Sequence, residues 1–263
     1  MDIVMTEAPV SFPATMPRRR VLGAYLEEAR SECLRYMRSP SFMLPIMLFP
    51  AMFYLLFGVL MAKSNGADAA RYLLASYGVF GVMSPGLFGF GVSLALERDS
   101  GLLTFKRALP MPPGAYLIGK MIMAMAAAAG VVVLLLAMAL TLGHVTLAAS
   151  QAAALLLVGV LGVLPFCALG MFVGTLFKGQ GAPGVLQLVY LPMSFMSGLW
   201  FPLPMLPKFL QQIAPIWPSY HLDMLALAAV GMNTQPLLGH VLVLLAFAAG
   251  FLLLAARRLR RHG

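Results

Sequence analysis

Charge is what this 263-residue sequence has least of. Only 10% of its residues are Asp, Glu, Lys or Arg, against about 25% in soluble domains. Hydrophobic residues make up 61%, and the mean hydropathy is +0.89. So little polar surface excludes a water-soluble enzyme of this length and identifies an integral membrane protein. Cysteine is also scarce. Cys33 lies in a basic N-terminal segment and Cys167 inside an apolar block, which excludes a disulfide framework and a cysteine metal site. Acidic residues number 9 against 18 basic ones, a net charge of +9. In a soluble protein that excess would point to nucleic acid; in a membrane protein it reads as orientation, and no nucleic-acid partner is expected. The first apolar block begins only near Ser41, after a long polar lead, which is not the pattern of a cleavable signal peptide.

Residues 1–16 read as a disordered tail. Over residues 17–38, Val21, Leu22, Tyr25, Ala29, Cys33, Tyr36 and Met37 recur at spacings of three and four. Arg18, Arg19, Arg20, Glu27, Glu28, Arg30, Arg35 and Arg38 fill the other face. An amphipathic helix of this kind suits the lipid headgroup layer; a cytoplasmic helix packed on protein is the alternative. Six apolar blocks follow, at about 41–61, 72–96, 117–142, 151–176, 183–201 and 236–256. Each is near the length a membrane span needs. The expected fold is therefore all-α: six transmembrane helices behind an interfacial helix. With the N-terminus inside, 15 Lys and Arg fall in inner segments and 3 in outer ones. The positive-inside rule then puts both termini in the cytoplasm.

Small residues allow close helix approach at Gly170-Met-Phe-Val-Gly174, at Ser194-Phe-Met-Ser-Gly198 and along Ala124 to Gly130. The stretch from Gly198 to Val230 is too apolar for a loop and too rich in proline for a simple span. Trp200, Pro202, Pro215, Trp217, Tyr220 and His221 mark it as one or two short helices re-entering the outer leaflet before the last span.

The second inner segment, Glu97 to Lys120, is charged, punctuated by proline and itself patterned. Leu102, Leu103, Phe105 and Leu109 give a short helix one apolar face, and Pro110, Pro112 and Pro113 stop it. Such a helix between two spans suits docking on a cytoplasmic partner, although an ordinary solvated loop has the same composition. Gly114-Ala-Tyr-Leu-Ile-Gly119-Lys120 matches the start of a phosphate-binding loop, but Met121 stands where Ser or Thr must hold magnesium, and no strand precedes it. Lys120 is expected to anchor the base of the third span. If ATP drives this protein, it is hydrolysed on another chain, so no catalytic residue, cofactor or metal is expected here. His221 and Asp223 read as a hydrated interfacial pair, and no histidines sit at metal-ligand spacing with a carboxylate. The spans show no patterned ionisable group, which argues against ion coupling, and no Ser/His/Asp constellation for a hydrolase.

These residues give the chain a resemblance over roughly 20–261. It resembles the ABC-2 type permeases, the membrane subunits of bacterial ABC exporters with the type V (ABCG-like) fold. The features are the helix ending Leu34-Arg-Tyr-Met-Arg-Ser-Pro40 and the segment Glu97-Arg-Asp-Ser-Gly101 to Tyr116-Leu-Ile-Gly-Lys120. With them go Ser197-Gly-Leu-Trp-Phe-Pro202 to Pro218-Ser-Tyr-His221 and the basic tail Arg257-Arg-Leu-Arg-Arg261. The chain departs from the family pattern at Asp223-Met-Leu-Ala-Leu-Ala228, where Arg or Gln is common, so no substrate is assigned. The resemblance implies residues 17–261 as one transmembrane domain, paired in a dimer and embedded in lipid of the bacterial inner membrane. It implies two copies of a cytoplasmic ATPase that carry the ATP and magnesium. The helix at Ser100–Leu109 would couple to that ATPase through Glu97, Arg98, Gly101, Leu102, Leu103, Phe105, Lys106 and Arg107. Arg18, Arg19, Arg20, Tyr25, Arg30 and Arg35 would belong to a connecting helix beside it. Phe90, Gln187 and Phe195 would line the pathway. The rival readings are an ion-coupled secondary transporter and a structural or regulatory membrane protein without flux.

Overall fold

The structure, a computed structural model, describes residues 18–61, 67–108, 112 and 114–262; for 67, 107, 108 and 259–262 it describes the backbone alone. The expected N-terminal tail and Leu109, Pro110 and Pro113 lie outside the described residues. All regular structure among the described residues is helical. The amphipathic segment is helix α1 (Arg18–Met37). Pro40 opens α2 (Pro40–Phe53), where a missing N–H costs nothing. Pro45 and Pro50 sit inside α2, and the helix widens into a π-helical stretch, Tyr54–Leu60. The second span runs as α3 (Ala67–Ser84), a π-helical stretch opened by Pro85 (Pro85–Phe90), and α4 (Gly91–Asp99).

Gly101, at φ +75°, turns the corner into α5 (Leu102–Ala108). Then come α6 (Ala115–Thr141), α7 (Ala149–Gly162), α8 (Leu164–Leu176) and α9 (Ala182–Met196). Short 3₁₀ turns and α10 (Lys208–Ile213) lead to α11 (Pro218–Ala229) and finally α12 (Leu238–His262).

Among the described residues, five helical stretches are long and apolar enough to cross a membrane: Pro40–Leu60, Asp68–Asp99, Ala115–Thr141, Ala149–Leu176 and Leu238–Arg258. The chain is thus a multi-pass membrane protein. The expected fifth span, 183–201, is a shorter apolar helix, Ala182–Met196. At 1.5 Å per residue it is about 22 Å long, less than a hydrocarbon core of about 30 Å. It ends early because Gly198 takes φ +84°, and the Tyr72 hydroxyl donates to the Gly198 carbonyl across 2.9 Å.

The second span is the hub. Most of it is buried, whereas few residues of the last span are. Its π-helical stretch packs backbone to backbone on α8. A Cβ on Gly86 would meet the backbone of Cys167 at 2.9 Å, and one on Gly170 would meet the Gly86 and Leu87 carbonyls at 2.7 and 2.8 Å. The expected close approach at Gly170 and Gly174 is thus observed, as is burial of Ala124, Ala127 and Ala128 in α6. Ser194 and Ser197 do something different. Ser194 accepts from the Trp200 indole at 3.1 Å, and Ser197 shares a 2.5 Å hydrogen bond with Ser219 of α11.

Candidate functional site: an ion-paired junction beneath the spans

Helix α1 runs along the start of α6, and its closest crossing is Gly119. A Cβ there would sit 3.0 Å from the Glu28 side chain and 3.3 Å from the Ala29 backbone. The face of α1 turned inward is charged. Glu28, Glu32 and Arg35 point towards α4, α5 and α6, while Leu22, Leu26 and Met37 are exposed. Sequence periodicity puts Glu28 and Arg35 on the outward polar face; the structure reverses this because the inner face meets opposite charges rather than water.

Lys120 is at the centre. It is fully buried, and its Nζ donates to Glu32 Oε2 at 3.1 Å, Glu97 Oε1 at 2.9 Å and Ser93 Oγ at 2.8 Å. It is therefore an internal hub, not an anchor reaching to the interface. Glu97, likewise buried, also accepts from the Tyr116 hydroxyl at 2.6 Å and pairs with Arg35 at 2.6 Å. Arg35 pairs with Glu32 as well. Lys106 of α5 reaches Glu28 Oε1 at 2.5 Å and Glu32 Oε1 at 3.2 Å, with its Nζ 4.7 Å from the centre of the Tyr116 ring.

Three carboxylates thus meet three cations, drawn from four helices. Partial burial opposes the charge on Lys106, but the hydrogen bond to Glu28 and the charges of Glu32 and Glu28 outweigh it, so its pKa lies above the ordinary lysine value. Arg35 is raised in the same way: burial lowers it, and Glu97 and Glu32 more than compensate.

The expected coupling residues therefore separate into two sets. Glu97 and Lys106 are internal ties. Arg98 donates to the Gly174 carbonyl at 2.8 Å, and Asp99 accepts from the Gly179 backbone N–H at 2.7 Å, fixing the loop that follows α8. Leu102 and Leu103 are half-buried, and Leu103 packs on the core. Phe105 stands outward, 62% exposed. It lies one turn on from Leu102, while Leu103 packs inward. The side chain of Arg107 lies outside the described residues. On α1, Arg18, Arg19 and Arg20 are exposed, Arg30 pairs with Glu27 at 3.8 Å, and the Tyr25 hydroxyl abuts Gly114. Sequence reasoning missed Glu32. Its signal was the i, i+4 spacing from Glu28, which puts both carboxylates on the strip that holds Tyr25 and Ala29.

Of the expected pathway residues, Phe90 is buried in the core. Phe88, in the same π-helical stretch, is partly buried and packs edge-on against Tyr190. Phe88 and Gln187 line a cavity of about 290 Å³ with Phe42, Phe49, Ser84 and Tyr190, between α2, the second span and α9. Phe195 is exposed and stacks edge-on with Phe201. In the expected outer segment, Trp200 packs against Phe53 and Phe80, and Pro202 lines an apolar cavity.

His221 does not pair with Asp223. Its Nε2 lies 2.9 Å from the Pro215 carbonyl and its Nδ1 2.8 Å from Nδ1 of His240. A carbonyl only accepts, so His221 carries a proton on Nε2, and a neutral His221 accepts from His240 at Nδ1. Trp217 is half-buried beside α11, and the Tyr220 ring stacks on both histidines. Asp223 is buried, with both carboxylate oxygens unbonded among the described residues.

Comparison with known proteins agrees with this layout. The chain is 28% identical over 233 residues to a Bacillus subtilis (strain 168) protein named "Putative transport permease YvfS", covering 87% of this chain and 94% of that one. The model of the ABC-2 family transporter proteins matches residues 58–257, which include α5 and the spans on either side of it. On that match, over well more than half its length, this chain belongs to the ABC-2 transporter family.

Proposed function

We propose that this chain is the membrane subunit of an ATP-driven exporter, working as a dimer in the bacterial inner membrane and driven by a separate cytoplasmic ATPase. The observation that carries the reading is Phe105. It projects from a short helix whose other side is fastened by Lys106 to Glu28 and Glu32, and through them to Lys120 and Glu97. An exposed aromatic on a tethered cytoplasmic helix fits a protein groove, and a push there reaches α1, the second span and the third span together. ATP and magnesium would bind the partner. The short helix Ala182–Met196 serves as a fifth crossing, giving six in all, and the segment 198–230 re-enters the outer leaflet. Leu188, 76% exposed, and Gln187 on this helix face the second copy. Both termini lie in the cytoplasm, as the basic residues of α1 and the end of α12 favour.

A pull-down of the solubilised chain from its native membrane tests the reading. A stoichiometric ATPase with a complete phosphate-binding loop supports it, and a homo-oligomer without one under mild conditions defeats it. Ion-coupled transport has one observation in its favour, the buried Asp223. A non-transporting structural role has none.

A further inference from the structure

Where the outer ends of the first two spans meet the chain that follows α9, the structure forms a cavity of about 660 Å³. That is within the range of small-molecule sites, roughly 300–1,000 Å³. Its walls include Phe57, Tyr72, Tyr77, Trp200 and Phe201, and its rim includes Asp68. The aromatic walls are fixed in advance. Trp200 packs edge-on against Phe53 at 5.0 Å and Phe80 at 5.6 Å, and Tyr77 packs edge-on against Phe53 at 6.0 Å.

The polar ends of two wall residues are already engaged. The Tyr72 hydroxyl donates to the Gly198 carbonyl at 2.9 Å, and the Trp200 indole N–H donates to Ser194 at 3.1 Å. These rings offer a guest their faces, not their donors. The charged group at the cavity is Asp68, exposed in the first turn of α3 and without an ion pair among the described residues. Arg71, one turn further on, is directed away and donates to the Thr146 carbonyl at 2.9 Å. The negative faces of tryptophan and tyrosine attract a cation, and a carboxylate at the mouth adds direct charge pairing. An anion of the same shape meets repulsion from both.

We infer that this cavity is a binding site for lipophilic organic cations, with the apolar body against Trp200, Tyr72 and Tyr77 and the positive charge towards Asp68. Nothing in the site calls for ATP or a partner chain, so it stands apart from the coupling of α5.

The test is binding to the full chain in detergent micelles. The sequence has two tryptophans, Trp200 and Trp217, so Trp217→Phe leaves Trp200 as the reporter. The probe is tetraphenylphosphonium. Its control is tetraphenylborate, which has the same four rings and the opposite charge. The expected result is a saturable change in Trp200 emission with the cation, weakened about tenfold by Asp68→Asn. The anion should respond more weakly than the cation in the parent chain and gain in Asp68→Asn. Equilibrium dialysis of the labelled cation against the unsubstituted chain and Asp68→Asn should give the same ordering with both tryptophans in place. No saturable response, equal responses to both ions, or an affinity that Asp68→Asn leaves unchanged overturns the site. A negative result would leave ATPase coupling untouched, and failure of the ATPase pull-down would leave this binding measurement valid.

Discussion

Lys120 Nζ lies 2.9 Å from Glu97 Oε1, and both side chains are buried where the second and third spans meet α1. Each would be costly there alone. Removing one partner of a buried pair costs about 3–5 kcal/mol, because the other charge is left without compensation. Lys120→Met leaves Glu97 and Glu32 facing each other with one cation fewer, so it should lose stability in that range. Glu97→Gln alone should cost less, since Lys120 keeps Glu32 at 3.1 Å. The pair should cost at least about 1 kcal/mol less than the sum of the singles. Unfolding of the four proteins in mixed micelles measures the coupling, and strict additivity would show that the two charges do not hold each other in place.

Phe105 is the second test, because it separates docking from folding. At 62% exposure it contributes little to the fold of the isolated chain, so Phe105→Asp should melt as the parent does. If it fills a groove on an ATPase, its loss at an interface hot spot costs about 2 kcal/mol or more, roughly a thirtyfold drop in affinity. Leu103→Asp is the contrast. Leu103 packs on the core, and that variant should be unstable before any partner is added. Unaltered ATPase capture by Phe105→Asp would remove α5 as the coupling element.

Two glycines should respond in opposite directions to the same added methyl. In Gly170→Ala the new Cβ would stand 2.7 Å from the Gly86 carbonyl oxygen, and backbone on both helices has no room to yield. A loss of about 1–3 kcal/mol is expected from such overpacking. Gly250, in the exposed last span, has nothing within 4 Å of the added atom. Gly250→Ala should stabilise by about 0.5–1 kcal/mol through helix propensity. If both variants melted alike, the backbone contact of α8 with the second span would not be the tight one described.

How much of this was legible in the sequence depends on what each signal encodes. Hydropathy and proline placed the helices: the predicted 41–61, 72–96, 117–142, 151–176 and 236–256 fall within Pro40–Leu60, Asp68–Asp99, Ala115–Thr141, Ala149–Leu176 and Leu238–Arg258 to within a few residues. The block at 183–201 ran on past Met196 because hydropathy does not register the positive φ of Gly198. Rotation about the helix axis was less legible. A span that is apolar all round carries no period to say which side meets protein. Phe90, offered for the pathway on the family resemblance alone, is buried in the core. The charges were misread for a different reason. Glu32, Glu97 and Lys120 lie up to 88 residues apart, and only the fold reveals that they neutralise one another.

Asp223 bears on the energy source. The sequence argument against ion coupling was the lack of a patterned ionisable group in the membrane region, yet Asp223 is 1% exposed with neither oxygen hydrogen-bonded among the described residues. Its polar neighbour is Ser76 of α3. A buried, unbonded carboxyl costs about 1–3 kcal/mol, so it is either a structural liability or a group kept for proton transfer. Asp223→Leu removes the polar atoms and should raise stability by about 1 kcal/mol or more on either view. Flux distinguishes the two. An ATP-driven exporter should transport as well with Asp223→Asn as with the parent chain, and dissipating the proton gradient should change neither. A proton-coupled carrier would lose transport in Asp223→Asn, since an amide carries no exchangeable charge, and would stop when the gradient collapses. The ATP-driven reading predicts transport in Asp223→Asn proteoliposomes that depends on the ATPase and is indifferent to a protonophore; loss of flux there, with the variant folded and the ATPase bound, would move the energy source from ATP to Asp223.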